Sequence, residues 1–171
     1  DEISVTGTML RFTPSVVYSI SAKKWSPYAK FGLTFGVGQI TEEWNSLRSE
    51  TYDQESYIDE FSSVEEFSGS VSIGFNSTLG VKVPLTNRIS LFGEASITNL
   101  SFAPNESETT SYIDNGEDRL NELSTYDAKT EYFDEYERKV SNDNEARTKL
   151  KQPYAFSSLA FNIGINFNLG K

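Results

Sequence analysis

Large apolar residues alternate strictly with small or polar residues near the end of the chain. Between Ser158 and Gly170 every odd position is large and apolar, and every even position is small or polar. The odd positions are Leu159, Phe161, Ile163, Ile165, Phe167 and Leu169. Successive side chains of a strand point to opposite faces, so this pattern predicts a strand with one apolar and one polar face.

Four earlier segments repeat the alternation and predict four more strands. They run from about 9 to 21, from 28 to 40, from 71 to 85 and from 89 to about 102. Past Thr98 the apolar residues move to the other parity, with Leu100 and Phe102, which a β-bulge would explain. The sequence therefore predicts an all-β fold with five long strands.

The connections between these strands alternate between short and long. Residues 21–27 and 83–87 form short turns, whereas about 41–69 and 104–153 form long polar loops. Of the 25 acidic residues, nine lie between Glu42 and Glu66, thirteen lie between Glu106 and Glu145, and only Glu94 lies within a predicted strand. Short turns at one end and long loops at the other are typical of an antiparallel up-and-down transmembrane β-barrel.

Hydropathy alone does not favour a membrane protein. The chain is 37% hydrophobic, and no segment approaches the ~20 apolar residues that a spanning helix needs. Barrel strands are polar on one face, however, so low mean hydropathy is compatible with a barrel. A soluble β-sandwich is the competing interpretation of the same alternation.

The last strand also resembles the C-terminal assembly signal of bacterial outer-membrane barrels. Asn162 is followed two residues later by Gly164, and then by Phe167 and Leu169 as hydrophobic residues separated by one position. The chain is similar to small OmpA/OmpX-type barrels and to the porin-like barrel family of Bacteroidetes-type bacteria. This resemblance implies a bacterial outer-membrane location with the long loops extracellular. It also implies contact with outer-membrane lipid and lipopolysaccharide, and with the barrel-assembly machinery during biogenesis.

The resemblance also bears on the number of strands. Single-chain bacterial barrels have an even number of strands, so five strands imply that an odd number lies upstream. Residues 1–171 are therefore interpreted as the C-terminal part of a single barrel domain. Three further strands would complete a barrel of eight strands, five of them visible here.

The polar face of the strands carries a few charged residues. The opposite register would direct Glu94 toward lipid, where a charge near the bilayer centre is costly. Charges that face the barrel interior need partners or water. We therefore expect an interior network that fills the lumen, formed by Arg11, Tyr28, Lys30, Lys82, Phe92 and Glu94.

The amino-acid composition argues against several kinds of functional site. The chain has neither His nor Cys, which removes the usual catalytic base, thiol nucleophile and cysteine metal ligands. Its net charge of −10 argues against a nucleic-acid partner. The segment from Asp114 to Asp118 starts like a calcium loop but lacks the closing Glu, which favours a tight turn at Asn115 and Gly116. We expect no enzymatic activity, no cofactor and no metal site.

The longer loop combines acidic residues with aromatic and basic ones. Tyr and Arg are common interface hot spots, so this loop is the predicted site for a protein or glycan partner. Its candidate binding residues are Tyr126, Tyr132, Phe133, Tyr136 and Arg138. We expect a non-enzymatic binding, adhesion or accessory subunit. A small porin or channel and a soluble lipid-binding β-barrel are the alternatives, and a loop that is merely solvated also fits the composition.

Overall fold

The computed structural model is all-β, with two short helical turns, and it describes residues 1–22, 24–52, 55–135 and 142–167. The chain divides into two compact units. The acidic unit consists of Asp1–Leu10, Val37–Ser70 and Ala103–Pro153. The apolar-faced unit consists of Arg11–Gly36, Val71–Phe102 and Tyr154–Lys171. Strand β3 supplies residues to both.

The described residues form thirteen strands, a 3₁₀ turn at Leu120–Glu122 and one turn of α-helix, α1, at Thr125–Ala128. The first seven strands are β1 (Glu2–Phe12), β2 (Ser15–Ser19), β3 (Ser26–Tyr52), β4 (Glu55–Gly69), β5 (Ser72–Pro84), β6 (Ile89–Asn99) and β7 (Ser101–Phe102). The remaining six are β8 (Pro104–Asp114), β9 (Glu117–Asp118), β10 (Lys129–Phe133), β11 (Arg147–Leu150), β12 (Tyr154–Ala155) and β13 (Ser158–Phe167). In the described part of the chain, no helix is long and apolar enough to cross a membrane.

The apolar-faced unit is built on an antiparallel sheet in the order β2, β3, β5, β6, β13. Each of the five predicted strands contributes to it. Among the described residues, β2 pairs only with β3 and β13 only with β6, so the sheet has two free edges. The all-β prediction is confirmed, and over the residues that the structure describes the sheet is open and does not close into a barrel.

Several strand boundaries differ from those predicted, and two of the differences have a local cause. The first predicted strand is divided into β1 and β2 at Thr13 and Pro14, because proline has no N–H to donate to a ladder. At the end of β6, the predicted bulge is a strand break at Leu100. The side chains of Leu100 and Phe102 are buried, and β7 pairs with β12 instead of continuing along β5.

In the acidic unit, the segments predicted as long loops are largely strand. Strands β3 and β4 form a hairpin whose pairs run from Gln39 with Ser68 to Tyr52 with Glu55. Strand β8 is antiparallel to β4, β10 is antiparallel to β8, and β11 is parallel to β10. Paired backbone groups extend this sheet even though few of its side chains are aliphatic.

The core of the acidic unit lies on one face of its sheet. The register places Ile40, Phe67, Ser107 and Thr130 in one row across β3, β4, β8 and β10, and all four are buried. On the same face the rings of Trp44 and Phe61, and of Phe61 and Tyr112, make edge-to-face contacts at 5.4 and 5.3 Å between centroids. Cross-strand aromatic pairs of this kind stabilise a sheet beyond their buried area.

The two faces of the apolar-faced unit differ in how exposed their side chains are. Its apolar positions are exposed, whereas Thr34, Ser72, Thr78 and Ser90 on the other face are buried. The exposed apolar residues in the five strands include Val16, Tyr18, Phe31, Leu33, Ile73, Phe75, Leu79, Val81, Leu91, Ile97, Leu159, Phe161, Ile163, Ile165 and Phe167. This is the reverse of the arrangement in a water-soluble sheet, where the apolar face is covered.

Candidate functional site

A hydrogen-bonded cluster around Glu94 lies on the polar face of the apolar-faced unit. The register aligns Tyr28 on β3, Gly80 on β5, Glu94 on β6 and Asn162 on β13 in one row. The Tyr28 hydroxyl and the Lys30 ammonium each donate to Glu94 Oε2 at 2.7 Å, and Asn162 Nδ2 donates to Oε1 at 3.5 Å. Three of the six predicted network residues therefore meet at one carboxylate.

The surroundings of Glu94 explain why a carboxylate is tolerated within this sheet. The Glu94 side chain is 12% exposed, and the Lys30 side chain is 32% exposed. A carboxylate removed from water needs a counter-charge together with further donors, and both of its oxygens are satisfied here. The cluster ties three strands of the sheet together through side chains.

Two aromatic rings on this face lie against glycines of the neighbouring strand. A Cβ atom at Gly80 would be 2.4 Å from Tyr28 Cζ, and one at Gly164 would be 2.6 Å from Phe92 Cζ. Any larger residue at either position would displace the ring. The glycines therefore fix the positions of Tyr28 and Phe92, and Gly164 has a packing role beside its predicted role in assembly.

The other two cations of the predicted network do not join the Glu94 cluster. Arg11 Nη2 donates to the backbone oxygen of Phe156 at 2.9 Å. Lys82 is half-buried and pairs in register with Phe92, with no hydrogen bond or ion pair to any residue that the structure describes. The structure therefore brings Tyr28, Lys30 and Glu94 together and places Arg11 and Lys82 elsewhere, and a lumen filled by all six residues stays a prediction.

A pocket of about 420 Å³ opens beside Lys82 on the same face. It is lined by Val17, Ser19, Ser21, Ser26, Tyr28, Lys30, Lys82, Pro84, Phe92 and Asn166. Among the residues that the structure describes, none of those in this lining is acidic. The pocket was not predicted from the sequence, because it requires the register of five strands.

The structure describes most of the predicted assembly signal. Asn162 donates to Glu94, Gly164 accommodates the Phe92 ring, and Phe167 is exposed. Leu169 lies outside the described residues. The role of these residues in assembly stays a prediction.

The predicted partner-binding residues fall at different places in the acidic unit. Tyr126 lies on α1, and the guanidinium carbon of Arg147 is 4.7 Å from the centre of its ring. Arg147 Nη2 also contacts Asp127 Oδ1 at 3.2 Å. Ser124 caps α1 by accepting a hydrogen bond from the backbone N–H of Asp127. Sequence reasoning missed Arg147, since a contact with a ring 21 residues away leaves no local signal.

The remaining partner-binding candidates divide between the two faces of β10. Tyr132 is half-buried, with its hydroxyl 3.2 Å from Ser107 Oγ and its ring 6.2 Å from that of Phe67. Phe133 is the next residue along the strand and is exposed. Tyr136 and Arg138 lie outside the described residues. Tyr132 thus packs within the acidic unit, whereas Phe133 lies on the opposite face of β10 and is 42% exposed.

Acidic side chains share the face of this sheet that carries Phe133. Glu66, Glu106, Glu108 and Glu131 line a depression of about 290 Å³. Lys129 Nζ lies 3.1 Å from Glu108 Oε1, and Gln39 Nε2 donates to Glu66 Oε2 at 2.6 Å. Within the described ranges, no group of three or more carboxylates is placed to hold a metal ion.

Comparisons with family models, with curated proteins and with solved structures found no match to this chain.

Proposed function

We propose that the chain is part of a non-enzymatic outer-membrane β-barrel protein that binds a partner through its acidic unit. In this proposal the apolar-faced unit lies in the bilayer and the acidic unit is exposed to water outside the cell. The observation that carries the proposal is the exposed apolar face of the five-stranded sheet, opposite a face of small, polar and ion-paired residues.

The exposed apolar face is too extensive for a sheet surrounded by water. Sixteen large apolar side chains on this face are exposed, the fifteen named above and Val83, and exposed apolar patches of this size mark a surface that contacts another protein or a membrane. Each such side chain gains about 1.5–3 kcal/mol on transfer to an apolar environment. A lipid bilayer supplies that environment along a whole sheet face.

The length of the apolar band fits a bilayer. Along β3 the odd positions are apolar from Ala29 to Val37 and polar from Gln39 to Asn45. A tilted strand of about 9–11 residues spans the hydrocarbon core. The change of character after Val37 therefore supports an interface with water at that height on β3.

Acidic residues are almost absent from the apolar-faced unit. Glu94 is the single acidic residue in the sequence ranges of the apolar-faced unit, and it is paired with Lys30. Charged residues are costly on a lipid-facing surface and are tolerated in pairs on an interior face. This pattern favours a membrane barrel over a soluble lipid-binding barrel, in which the apolar positions would face the interior.

The acidic unit supplies the features expected of a binding surface. Phe133 and the carboxylates of Glu66, Glu106, Glu108 and Glu131 share one face of an ordered sheet. An aromatic residue and carboxylates on one face suit a protein or glycan partner better than a purely solvated connection does. The ordered strands also hold these groups in fixed positions, which lowers the entropic cost of binding.

A matched pair of substitutions tests the membrane assignment. Ile163 on β13 is 89% exposed, and Leu47 in the acidic unit is 64% exposed. We expect Ile163→Arg to reduce insertion strongly, because arginine near the bilayer midplane costs about 2–4 kcal/mol. Leu47→Arg should insert normally. Insertion is measured as detergent-dependent extraction from outer membranes and as heat-modifiable migration on a gel.

A membrane-embedded protein and a water-soluble protein should give different results in this experiment. In a water-soluble protein both positions are solvated, and both arginine variants would behave like the parent. Equal extraction and equal gel migration of the two variants would therefore contradict the membrane assignment.

A further inference from the structure

The pocket beside Lys82 has the composition of an anion site. We propose that it binds a phosphate-type oxyanion on the polar face of the apolar-faced unit, with the Lys82 ammonium as the principal ligand. The proposal concerns the polar face only and does not depend on what covers the apolar face.

Hydrogen-bond donors predominate in the pocket lining. Lys82 offers three N–H groups, and the hydroxyls of Ser19, Ser21 and Ser26 and the amide of Asn166 offer further donors. Lysine is a common phosphate ligand that acts as a compact positive charge, and hydroxyl groups complete such sites. A volume of about 420 Å³ leaves room for a small phosphorylated solute as well as for phosphate itself.

The neighbouring acid does not neutralise Lys82. Glu94 already accepts hydrogen bonds from Tyr28, Lys30 and Asn162, and it does not line the pocket. Lys82 has no hydrogen bond or ion pair within the ranges that the structure describes. Lys82 as a residue is half-buried, and nothing described in the protein balances the charge of its ammonium group.

An unbalanced charge at a half-buried position has an energetic cost. Partial removal from water weakens the hydration of the ammonium, and a counter-ion restores the lost interaction. The other charges of this unit also favour anion binding. The described part of this unit contains five cations, Arg11, Lys24, Lys30, Lys82 and Arg88, against the single acid Glu94. Such a field raises the local concentration of anions.

The walls of the pocket are held in place before any ligand binds. Tyr28 rests on Gly80 and is bonded to Glu94, and Phe92 rests on Gly164. Both rings line the pocket. Phe92 pairs in register with Lys82, and Tyr28 lies in the next row of the same face. A preformed site loses little conformational freedom on binding, which favours affinity for a small ion.

Calorimetric titration of the full chain in a non-ionic detergent with inorganic phosphate tests the proposal. We expect saturable binding to the parent protein, weakened at least about tenfold by Lys82→Gln, the effect of losing one charge-assisted hydrogen bond. Lys82→Arg should keep most of the affinity, because it keeps the charge. Lys24→Gln and Arg88→Gln remove the same charge from exposed turn residues outside the pocket lining and should bind like the parent.

A second probe identifies the source of the anion. Short-chain phosphatidic acid in the same detergent presents the phosphate on a lipid. Binding of inorganic phosphate that depends on Lys82 indicates a soluble ligand, whereas binding of the lipid alone that depends on Lys82 indicates a headgroup. The proposal is overturned if neither probe binds the parent protein. It is also overturned if Lys82→Gln binds like the parent, or if Lys24→Gln and Arg88→Gln lose as much affinity as Lys82→Gln.

Discussion

At the scale of single residues, Glu94 connects more of the polar face than any other side chain described there. Its carboxylate accepts from Tyr28 and Lys30 on β3 and from Asn162 on β13, while its own strand is β6. Removing one member of a partly buried ion pair costs more than the pair itself contributes, because the partner keeps its charge without compensation. Glu94 is therefore the position where loss of charge is most damaging.

We expect Glu94→Gln to lower the free energy of unfolding by about 1–3 kcal/mol, the usual cost of leaving a shielded polar group unsatisfied. Lys129→Gln breaks the pair with Glu108, in which both side chains are more than half exposed, and should cost no more than about 1 kcal/mol. Urea unfolding of the two refolded variants in detergent measures the difference. Equal midpoints would show that the Glu94 cluster contributes no more than a surface pair.

Sequence reasoning placed these side chains on the correct face but did not fix their contacts. Parity along a strand determines the face, so Tyr28, Lys30 and Glu94 were expected together. Whether two side chains meet depends on which strands are neighbours and in which register. Arg11 was expected in the same network and instead contacts the backbone of Phe156. Asn162 was noted only as part of an assembly signal, yet it donates to Glu94.

At the scale of strands and turns, the sequence predicts those strands that have one apolar face. The five segments with apolar alternation all form strands of the apolar-faced unit. Strands β4 and β8 were missed because both of their faces carry polar residues, so period-two alternation is weak. Their backbone pairing is supported by scattered aromatic contacts such as Phe61 with Tyr112, which only the register reveals.

The dipeptide Asn115-Gly116 predicts the turn between β8 and β9. Asn115 and Gly116 have φ values of 52° and 80°, and the flanking pairs are Ile113 with Asp118 and Asp114 with Glu117. Two central residues with positive φ are typical of the tight hairpin turn that Asn-Gly favours. The interpretation of this segment as a turn is confirmed.

We expect Gly116→Ala to destabilise the protein by about 1–2 kcal/mol, because a Cβ atom is strained in the left-handed region. Gly93→Ala is the matched control, since an added Cβ there meets nothing within 4 Å and the backbone has no positive φ. Urea unfolding again provides the measurement, and hydrogen exchange of the β8–β9 amides locates the effect. A Gly116→Ala protein as stable as the control would contradict the assigned turn strain.

At the scale of the whole molecule, the two units carry opposite charges. The sequence ranges of the apolar-faced unit contain one acidic and seven basic residues, a net charge of +6. The acidic unit contains 24 acidic and eight basic residues, a net charge of −16, which together give the −10 of the chain. Composition averaged over the chain concealed this division. The division supports different surroundings for the two units, as the proposed function requires.

The hydrogen bonds that hold the apolar-faced sheet lie within its own sequence ranges, from the β3–β5 ladder to the Glu94 cluster. We therefore expect a chain in which short turns replace residues 41–67 and 106–151 to remain in the outer membrane. It should be extracted only by detergent, migrate in a heat-modifiable way, and lose any partner that the parent retains in a pull-down. A trimmed chain with Ile163→Arg is the control and should fail to insert, because its apolar face is interrupted. If the trimmed chain is recovered as a soluble protein without detergent, then the apolar-faced unit is not the membrane-embedded part.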